Sequence, residues 1–158
     1  DLLKAMIQSG IHTVSVQASE VVRVESGCVR NSIDLDENTI PMEARLEYAI
    51  DFEKGCYVGQ EVIARATNLG QVNYLLVGVR FDEEIDASAF IGANLLLPDA
   101  EKVVGEVNSI VYSPELQAWI GLGYVHRKYE TVGMKLTCRN GQELPQTSSL
   151  TIQSLPFL

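Results

Sequence analysis

Eight residues near the middle of the chain carry the groups best suited to chemistry. The stretch KGCYVGQE at positions 54–61 combines an ammonium, a thiol, a phenol, an amide and a carboxylate. Lys54 lies two positions from Cys56, and a nearby ammonium favours the nucleophilic thiolate form of a cysteine. Gly55 and Gly59 permit a tight bend. The pattern indicates a reactive cysteine loop, although a single cysteine in an apolar setting is more often a small buried side chain.

This stretch resembles the signature of the YgfZ family, Lys-Gly-Cys-Tyr-x-Gly-Gln-Glu, and matches it at every fixed position. Members of that family are folate-binding proteins that support iron–sulfur cluster synthesis or repair. Their fold is similar to that of the glycine cleavage T-protein, an aminomethyltransferase. The resemblance implies catalytic roles for Cys56 and Lys54. It also implies tetrahydrofolate, or a one-carbon derivative of it, as cofactor, and iron–sulfur client or assembly proteins as partners.

A second segment, RVESG at residues 23–27, resembles the Arg-Leu-Glu-x-Gly segment of the T-protein superfamily, whose Glu contacts the pterin ring. A carboxylate can accept two adjacent N–H groups from a pterin edge. In T-proteins a basic residue about 29 positions later also touches the folate, and Lys54 lies 29 positions after Glu25. The resemblance therefore implies cofactor binding by Glu25, Lys54 and Tyr57. From the residues alone, a Glu at a helix end that faces solvent is the commoner case.

The resemblance covers nearly the whole chain but only about the last half of a full family member. Residues 41–43 resemble the family's Pro-x-Glu, and residues 155–157 resemble the Pro-Phe end of T-proteins. Full members begin with a larger folate-binding domain, which holds the catalytic Asp of the T-protein. We therefore expect either upstream sequence or pairing with a second copy, because residues 1–64 alone would leave a bare sheet edge.

The elements that must position these residues can be read from periodicity and turn residues. Asp1 is a cap for a first helix that stops at Gly10, and the β-branched run Ile11–Val16 predicts a strand. Residues 17–27 are ambiguous between strand and helix; the helical alternative places Ala18, Val21, Val22 and Glu25 on one stripe. A short helix is predicted from Thr39 to Ile50, and another begins at Gly59.

The second half has a different pattern, in which short apolar runs alternate with Gly, Pro, Asp or Asn turns. The predicted strands are Val72–Phe81, Ala93–Leu97, Val103–Tyr112, Ala118–His126, Met134–Arg139 and Ser149–Gln153. Six strands at this spacing predict a small barrel or sandwich, and the resemblance favours the barrel. Cys138 is expected to be buried in its strand. The fold class is α+β, with the end of a T-protein-like folate-binding domain at residues 1–66, a boundary turn at 67–70, and an antiparallel barrel at 67–158.

Composition narrows the class of protein. Hydrophobic residues make up 46% and charged residues 21%, which is typical of a globular chain. A net charge of −9 argues against nucleic acid as the main partner. No apolar run reaches the roughly 18 residues that a membrane helix needs. Three cysteines without CxxC spacing indicate a reducing, cytoplasmic location, and no metal site is predicted.

Three functions follow. The first is a tetrahydrofolate-binding protein that supports iron–sulfur cluster assembly or repair through Cys56. The second is a folate-dependent aminomethyltransferase, against which stands the absence of this cysteine motif from T-proteins. The third is an interaction barrel without chemistry, so the sequence leaves open whether the protein is an enzyme.

Overall fold

A closed barrel of antiparallel strands forms the centre of the molecule. The computed structural model describes residues 1–68, 72–98, 100–141 and 145–158. Its strands are β1 (Tyr74–Phe81), β2 (Asn94–Leu96), β3 (Val103–Ser113), β4 (Ala118–His126), β5 (Lys135–Arg139) and β6 (Thr147–Gln153). They close in the order β1-β4-β3-β2-β5-β6. The predicted α+β class and barrel are confirmed. Each strand begins and ends within two residues of the predicted first and last residue.

The barrel interior is filled by one side of every strand. Alternation along the strands places branched aliphatic side chains inward, where removal from water stabilises them. Cys138 belongs to this core and is fully buried, as expected for a cysteine inside a strand. The core residues are Val77, Val79, Phe81, Phe90, Ala93, Leu95, Val104, Val107, Val125, Leu136, Cys138, Leu150 and Ile152.

Glycines let the backbones of β3 and β4 approach closely where these two strands pair. A Cβ atom on Gly105 would lie 2.1 Å from the carbonyl oxygen of Tyr124, and one on Gly123 would lie 2.4 Å from that of Glu106. Both clashes are with backbone, which cannot turn aside as a flexible side chain would. Any larger residue at these positions would therefore force the two strands apart.

The helices are α1 (Leu2–Gln8), α2 (Val16–Glu25), α3 (Gln60–Asn68) and α4 (Ala87–Phe90), with 3₁₀ turns at Glu47–Ala49 and Arg127–Tyr129. Among the helices of the described chain, α2 packs on the outside of the barrel against β3 and β4, whereas α1 has no buried residue. A second apolar cluster joins Val24 of α2 and Ala44 to the outer faces of β1 and β4. The chain end packs here too, since Phe157 N donates to Glu25 O at 2.8 Å. Residues 24–46 are thus fixed to the barrel.

The first half departs from prediction in two places. The strand predicted at Ile11–Val16 is wrong: residues 11–15 have no regular structure, and Val16 begins α2. The Ser15 side chain accepts a hydrogen bond from Ala18 N at 3.1 Å, so a helix cap prevails over β-branched propensity. The helix predicted over residues 39–50 is also wrong, because turns precede a single 3₁₀ turn.

Of the ambiguous segment at residues 17–27, residues 17–25 are helical, but the buried face of this helix differs from the expected stripe. Val22 is 60% exposed, whereas Val24 is fully buried. The barrel-facing side instead carries Glu20, Arg23 and Val24, at helical spacing. Polar side chains thus lie on the buried face of α2, which the pattern predicted to be mainly apolar. They form a hydrogen-bonded network with the barrel.

The helices predicted after Asp1 and Gly59 are confirmed. The Asp1 carboxylate accepts from Leu3 N at 3.2 Å, and α1 ends next to Gly10, whose φ is +85°. The predicted boundary at residues 67–70 lies partly outside the described residues, and the division at residue 66 stays a prediction. No helix in the described part of the chain is long and apolar enough to cross a membrane.

Candidate functional site

The C-terminal end of α2 is anchored by a buried ion pair. Arg23 Nη1 lies 2.7 Å from Asp34 Oδ2, and the Asp34 side chain is completely buried. Ser109 on β3 completes the network, because its Oγ accepts from Arg23 Nη2 at 2.8 Å and donates to Asp34 Oδ1 at 2.6 Å. Arg30 N donates to the same carboxylate at 2.9 Å. A buried pair with every partner satisfied fixes the orientation of α2 on the barrel.

This anchoring determines where Glu25 lies. Ser113 Oγ donates to Glu25 Oε1 at 2.5 Å, and Ser113 is itself fully buried. Glu25 Oε2 accepts no hydrogen bond from a described residue. The Glu25 side chain is half-buried against β3 rather than turned to solvent. It therefore presents one free carboxylate oxygen from a fixed position, which suits the recognition of an N–H donor.

The loop at residues 54–61 has its own local supports. The Asp51 carboxylate accepts from the backbone N of Glu53 at 2.9 Å and of Lys54 at 3.1 Å, which closes a turn before the motif. Lys54 Nζ then lies 4.6 Å from the centroid of the Tyr57 ring. This is a cation–π contact, so the ammonium is held over the phenol. The structure brings these two predicted site residues together.

Cys56 is exposed at the surface of this loop. The bend occurs at Gly59, whose φ is +89°. Gly55 does not adopt a positive φ, and a Cβ there would meet no atom within 4 Å. Only one of the two glycines is therefore required by the backbone. The thiol is open to reagents and partners rather than packed in a core.

The predicted residues form two groups rather than one. Within the described ranges, no hydrogen bond or ion pair joins Glu25 to Lys54, Cys56 or Tyr57. No group of three or more His, Cys, Asp or Glu side chains there is arranged to hold a metal ion. Sequence reasoning missed the Arg23–Asp34–Ser109 network. The available signal was an Asp between two apolar residues, Ile33 and Leu35.

The family profile and the relatives that match this chain all indicate the same protein family. The profile of the glycine cleavage T-protein C-terminal barrel domain matches residues 75–157. An aminomethyltransferase of Rippkaea orientalis is 31% identical over 86% of this chain and 36% of its own length. That of Chlorobium luteolum is 29% identical over 100% of this chain and 41% of its own length. The mitochondrial aminomethyltransferase of Dictyostelium discoideum is 27% identical over 98% of this chain and 38% of its own length.

The fold is also similar to that of a solved structure. The glycine cleavage system aminomethyltransferase T from Bartonella henselae superposes with a TM-score of 0.82 at 22% identity. The match covers 99% of this chain and 42% of that one. The chain thus spans well under half the length of these relatives, and the resemblance extends to the helices and turns that precede the barrel.

Proposed function

Because the chain belongs to the family of the glycine cleavage T-protein C-terminal barrel domain, we propose that it is part of a tetrahydrofolate-dependent one-carbon transferase of the aminomethyltransferase type. The observation that carries the proposal is the match to proteins named aminomethyltransferase along nearly the whole chain. The iron–sulfur role implied by the YgfZ resemblance finds no support in these comparisons, so it becomes the second candidate.

Three residues of this chain would hold tetrahydrofolate. Glu25 offers a carboxylate oxygen without a described partner, able to accept an N–H from the pterin edge. Lys54 supplies a cation, and folates carry carboxylates at the opposite end of the molecule. Tyr57 keeps that ammonium in place through its ring and adds an aromatic face for contact. In this proposal the protein binds and orients the cofactor by charge at both ends.

The reaction transfers one carbon and releases ammonia. The carbon of a carrier-bound aminomethyl group becomes the methylene bridge of methylene-tetrahydrofolate, the carrier thiol is regenerated, and the amine leaves as ammonia. No oxidant or reductant is needed. The residues of this chain contribute binding and orientation, which bring the nitrogen of the folate to the carbon donor.

Replacing Glu25 with glutamine tests this binding role directly. Gln keeps an oxygen for Ser113 but loses the negative charge, so the fold should be preserved while tetrahydrofolate binding weakens. A hydrogen bond to a charged group contributes about 1.5–3 kcal/mol, which corresponds to roughly a 10- to 150-fold rise in the dissociation constant. The measurement is fluorescence or calorimetric titration with tetrahydrofolate.

Glu115→Gln is the matched control, since Glu115 is an exposed Glu in the turn before β4. It should bind tetrahydrofolate like the unmodified protein. Equal affinity in Glu25→Gln and Glu115→Gln would contradict the role of Glu25. If the unmodified protein itself binds no tetrahydrofolate, the interaction barrel without chemistry is favoured instead.

The second candidate is a cysteine-dependent role in iron–sulfur cluster assembly or repair. The specific observation in its favour is that Cys56 is exposed within a loop that matches the YgfZ signature. Sulfur carriage and contact with a cluster both need a thiol that a partner can reach.

Cys56→Ser separates the two candidates. If the iron–sulfur role is correct, this variant should fail to support the activity of iron–sulfur enzymes in cells that lack the protein. Cys28→Ser, which alters another exposed thiol, should support it fully. Full activity in the Cys56→Ser strain would eliminate this candidate and leave the transferase proposal untouched.

A further inference from the structure

Ser113 is the last residue of β3, and it holds the Glu25 carboxylate from the barrel side. Ser113 is fully buried, and its Oγ lies 2.5 Å from Glu25 Oε1. The two residues are 88 positions apart, so the fold makes this contact and the local sequence does not. A fully buried side chain thus reaches the residue that is proposed to accept N–H groups from the pterin.

The hydroxyl of Ser113 can point its proton in only one direction. Its Oγ accepts from the backbone N of Leu116 at 3.1 Å, within the turn that leads to β4. A hydroxyl has one proton to donate, and an ionised carboxylate can only accept. Because the N–H of Leu116 occupies one lone pair of the oxygen, the proton is left for Glu25. The turn therefore fixes the hydroxyl, and the hydroxyl fixes one oxygen of the carboxylate.

The backbone of Glu25 is held separately, by the segment that follows β6. Phe157 N donates to Glu25 O at 2.8 Å. Leu155 lies against Gly27, where a Cβ would come within 3.2 Å of the Leu155 Cβ. The Phe157 ring lies so close to Gly78 that a Cβ there would be 2.7 Å from its Cζ. With the backbone of Glu25 fixed in this way, only its side-chain torsions remain to be set.

The hydrogen bond from Ser113 sets these torsions before a ligand arrives. A Glu side chain that is not held samples several rotamers, and ordering it on binding costs affinity. In the observed rotamer Oε2 accepts from no described residue and stays available to a donor. A binding group whose rotamer is locked by a neighbouring hydrogen bond loses less entropy when it accepts its ligand.

We propose that Ser113 is a positioning residue, which raises the affinity for tetrahydrofolate by orienting the Glu25 carboxylate and does not itself touch the ligand. The inference rests on the proposed folate function and adds to it, because it assigns the barrel a part in cofactor binding. Ser113 acts only through Glu25, which separates this role from a purely structural role in the turn before β4.

A double-mutant cycle in the full-length protein tests this role, with tetrahydrofolate titration as the measurement. Ser113→Ala should raise the dissociation constant about three- to tenfold, which matches the cost of immobilising one flexible side chain. In a background that carries Glu25→Ala, the same replacement should change the dissociation constant by less than about twofold, because no carboxylate remains to be oriented. A purely structural role would lower the affinity by the same factor in both backgrounds.

Ser148→Ala is the matched control, because Ser148 is a buried serine on β6 that bonds no residue of α2 in the described part of the chain. It should bind tetrahydrofolate like the unmodified protein, even where its free energy of unfolding is lower. If Ser113→Ala does not fold, Ser113→Cys takes its place in the cycle with the same expected direction. A thiol fills a similar space but is only a weak donor.

The outcomes separate this inference from the proposed function. Absence of tetrahydrofolate binding by the unmodified protein would contradict both. If the unmodified protein binds, three results would overturn the role of Ser113 alone: unchanged affinity in Ser113→Ala, equal losses in the two backgrounds, or a loss in Ser148→Ala as large as that in Ser113→Ala.

Discussion

Replacing Asp34 with alanine is expected to lower the free energy of unfolding by about 3–5 kcal/mol, because removing one member of a buried ion pair leaves the other charge uncompensated. The Asp34 side chain is fully buried, and it accepts from Arg23, Ser109 and the backbone N of Arg30. Its loss leaves the guanidinium of Arg23, whose side chain is only 13% exposed, without its counter-charge. Chemical denaturation, followed by the fluorescence of Trp119, measures the change.

Glu37→Ala is the matched control, since Glu37 is an exposed acid three positions further along the same segment. It should change the free energy of unfolding by no more than about 0.5 kcal/mol. In the double variant Asp34→Ala/Arg23→Met, part of the free energy of unfolding lost in Asp34→Ala should be recovered, because no buried charge remains unpaired. A loss of under about 1 kcal/mol for Asp34→Ala would contradict the assigned network.

Alkylation should proceed at Cys28 and Cys56 in the folded protein and be almost completely suppressed at Cys138. Cys28 and Cys56 are exposed, whereas Cys138 is fully buried on β5. Burial raises the pKa of the Cys138 thiol from 9.0 to about 12. A pKa higher by about 3 makes the thiolate fraction of Cys138 near neutral pH roughly a thousandfold smaller than that of an exposed thiol. The thiolate is the form that reacts. Mass spectrometry after timed iodoacetamide treatment should show two modified cysteines.

The same shift makes the stability of the protein depend on pH. Between about pH 9 and 12 the Cys138 thiol loses its proton in the unfolded state but keeps it in the folded state. The free energy of unfolding should therefore fall as pH rises through this range, by up to about 1.4 kcal/mol per unit from this group. Cys138→Ala should lack that part of the slope.

Rapid alkylation of Cys138 in the folded protein would contradict its assigned burial.

The strands of the barrel could be predicted because their signals are local. Apolar runs of strand length, separated by Gly, Pro, Asp and Asn turns, gave bounds within two residues at each end. In an antiparallel barrel the side chains of each strand alternate between the interior and the outside, so each strand can be predicted from its own sequence. The fully buried Cys138 follows from the same rule.

The first half was harder because contacts distant in sequence decide its structure. Residues 11–16 have β-branched propensity, but no strand in the described part of the chain pairs with them, and the Ser15 cap starts α2 instead. The buried face of α2 includes Arg23, which is stable there only because Asp34 and Ser109 meet it on the barrel. A partner 86 positions away leaves no periodic trace in the sequence.

The sequence suggested the candidate residues of the site, whose roles stay a prediction, but it did not indicate how they are grouped. The motif proposed Lys54, Cys56 and Tyr57 as site residues, and the structure shows a contact between Lys54 and Tyr57. The attachment of Glu25 to Ser113 on β3 could not be foreseen, since it depends on how α2 docks.

One assay tests the central claim most directly: incubation of the purified full-length protein, including any sequence that precedes these residues, with tetrahydrofolate and the aminomethylated carrier, with methylene-tetrahydrofolate and ammonia measured together. The proposed function predicts that both products form in equal amounts, and that Glu25→Gln slows their formation while Glu115→Gln does not. Failure to form either product with folded protein, under conditions in which tetrahydrofolate binds, would contradict the transferase assignment.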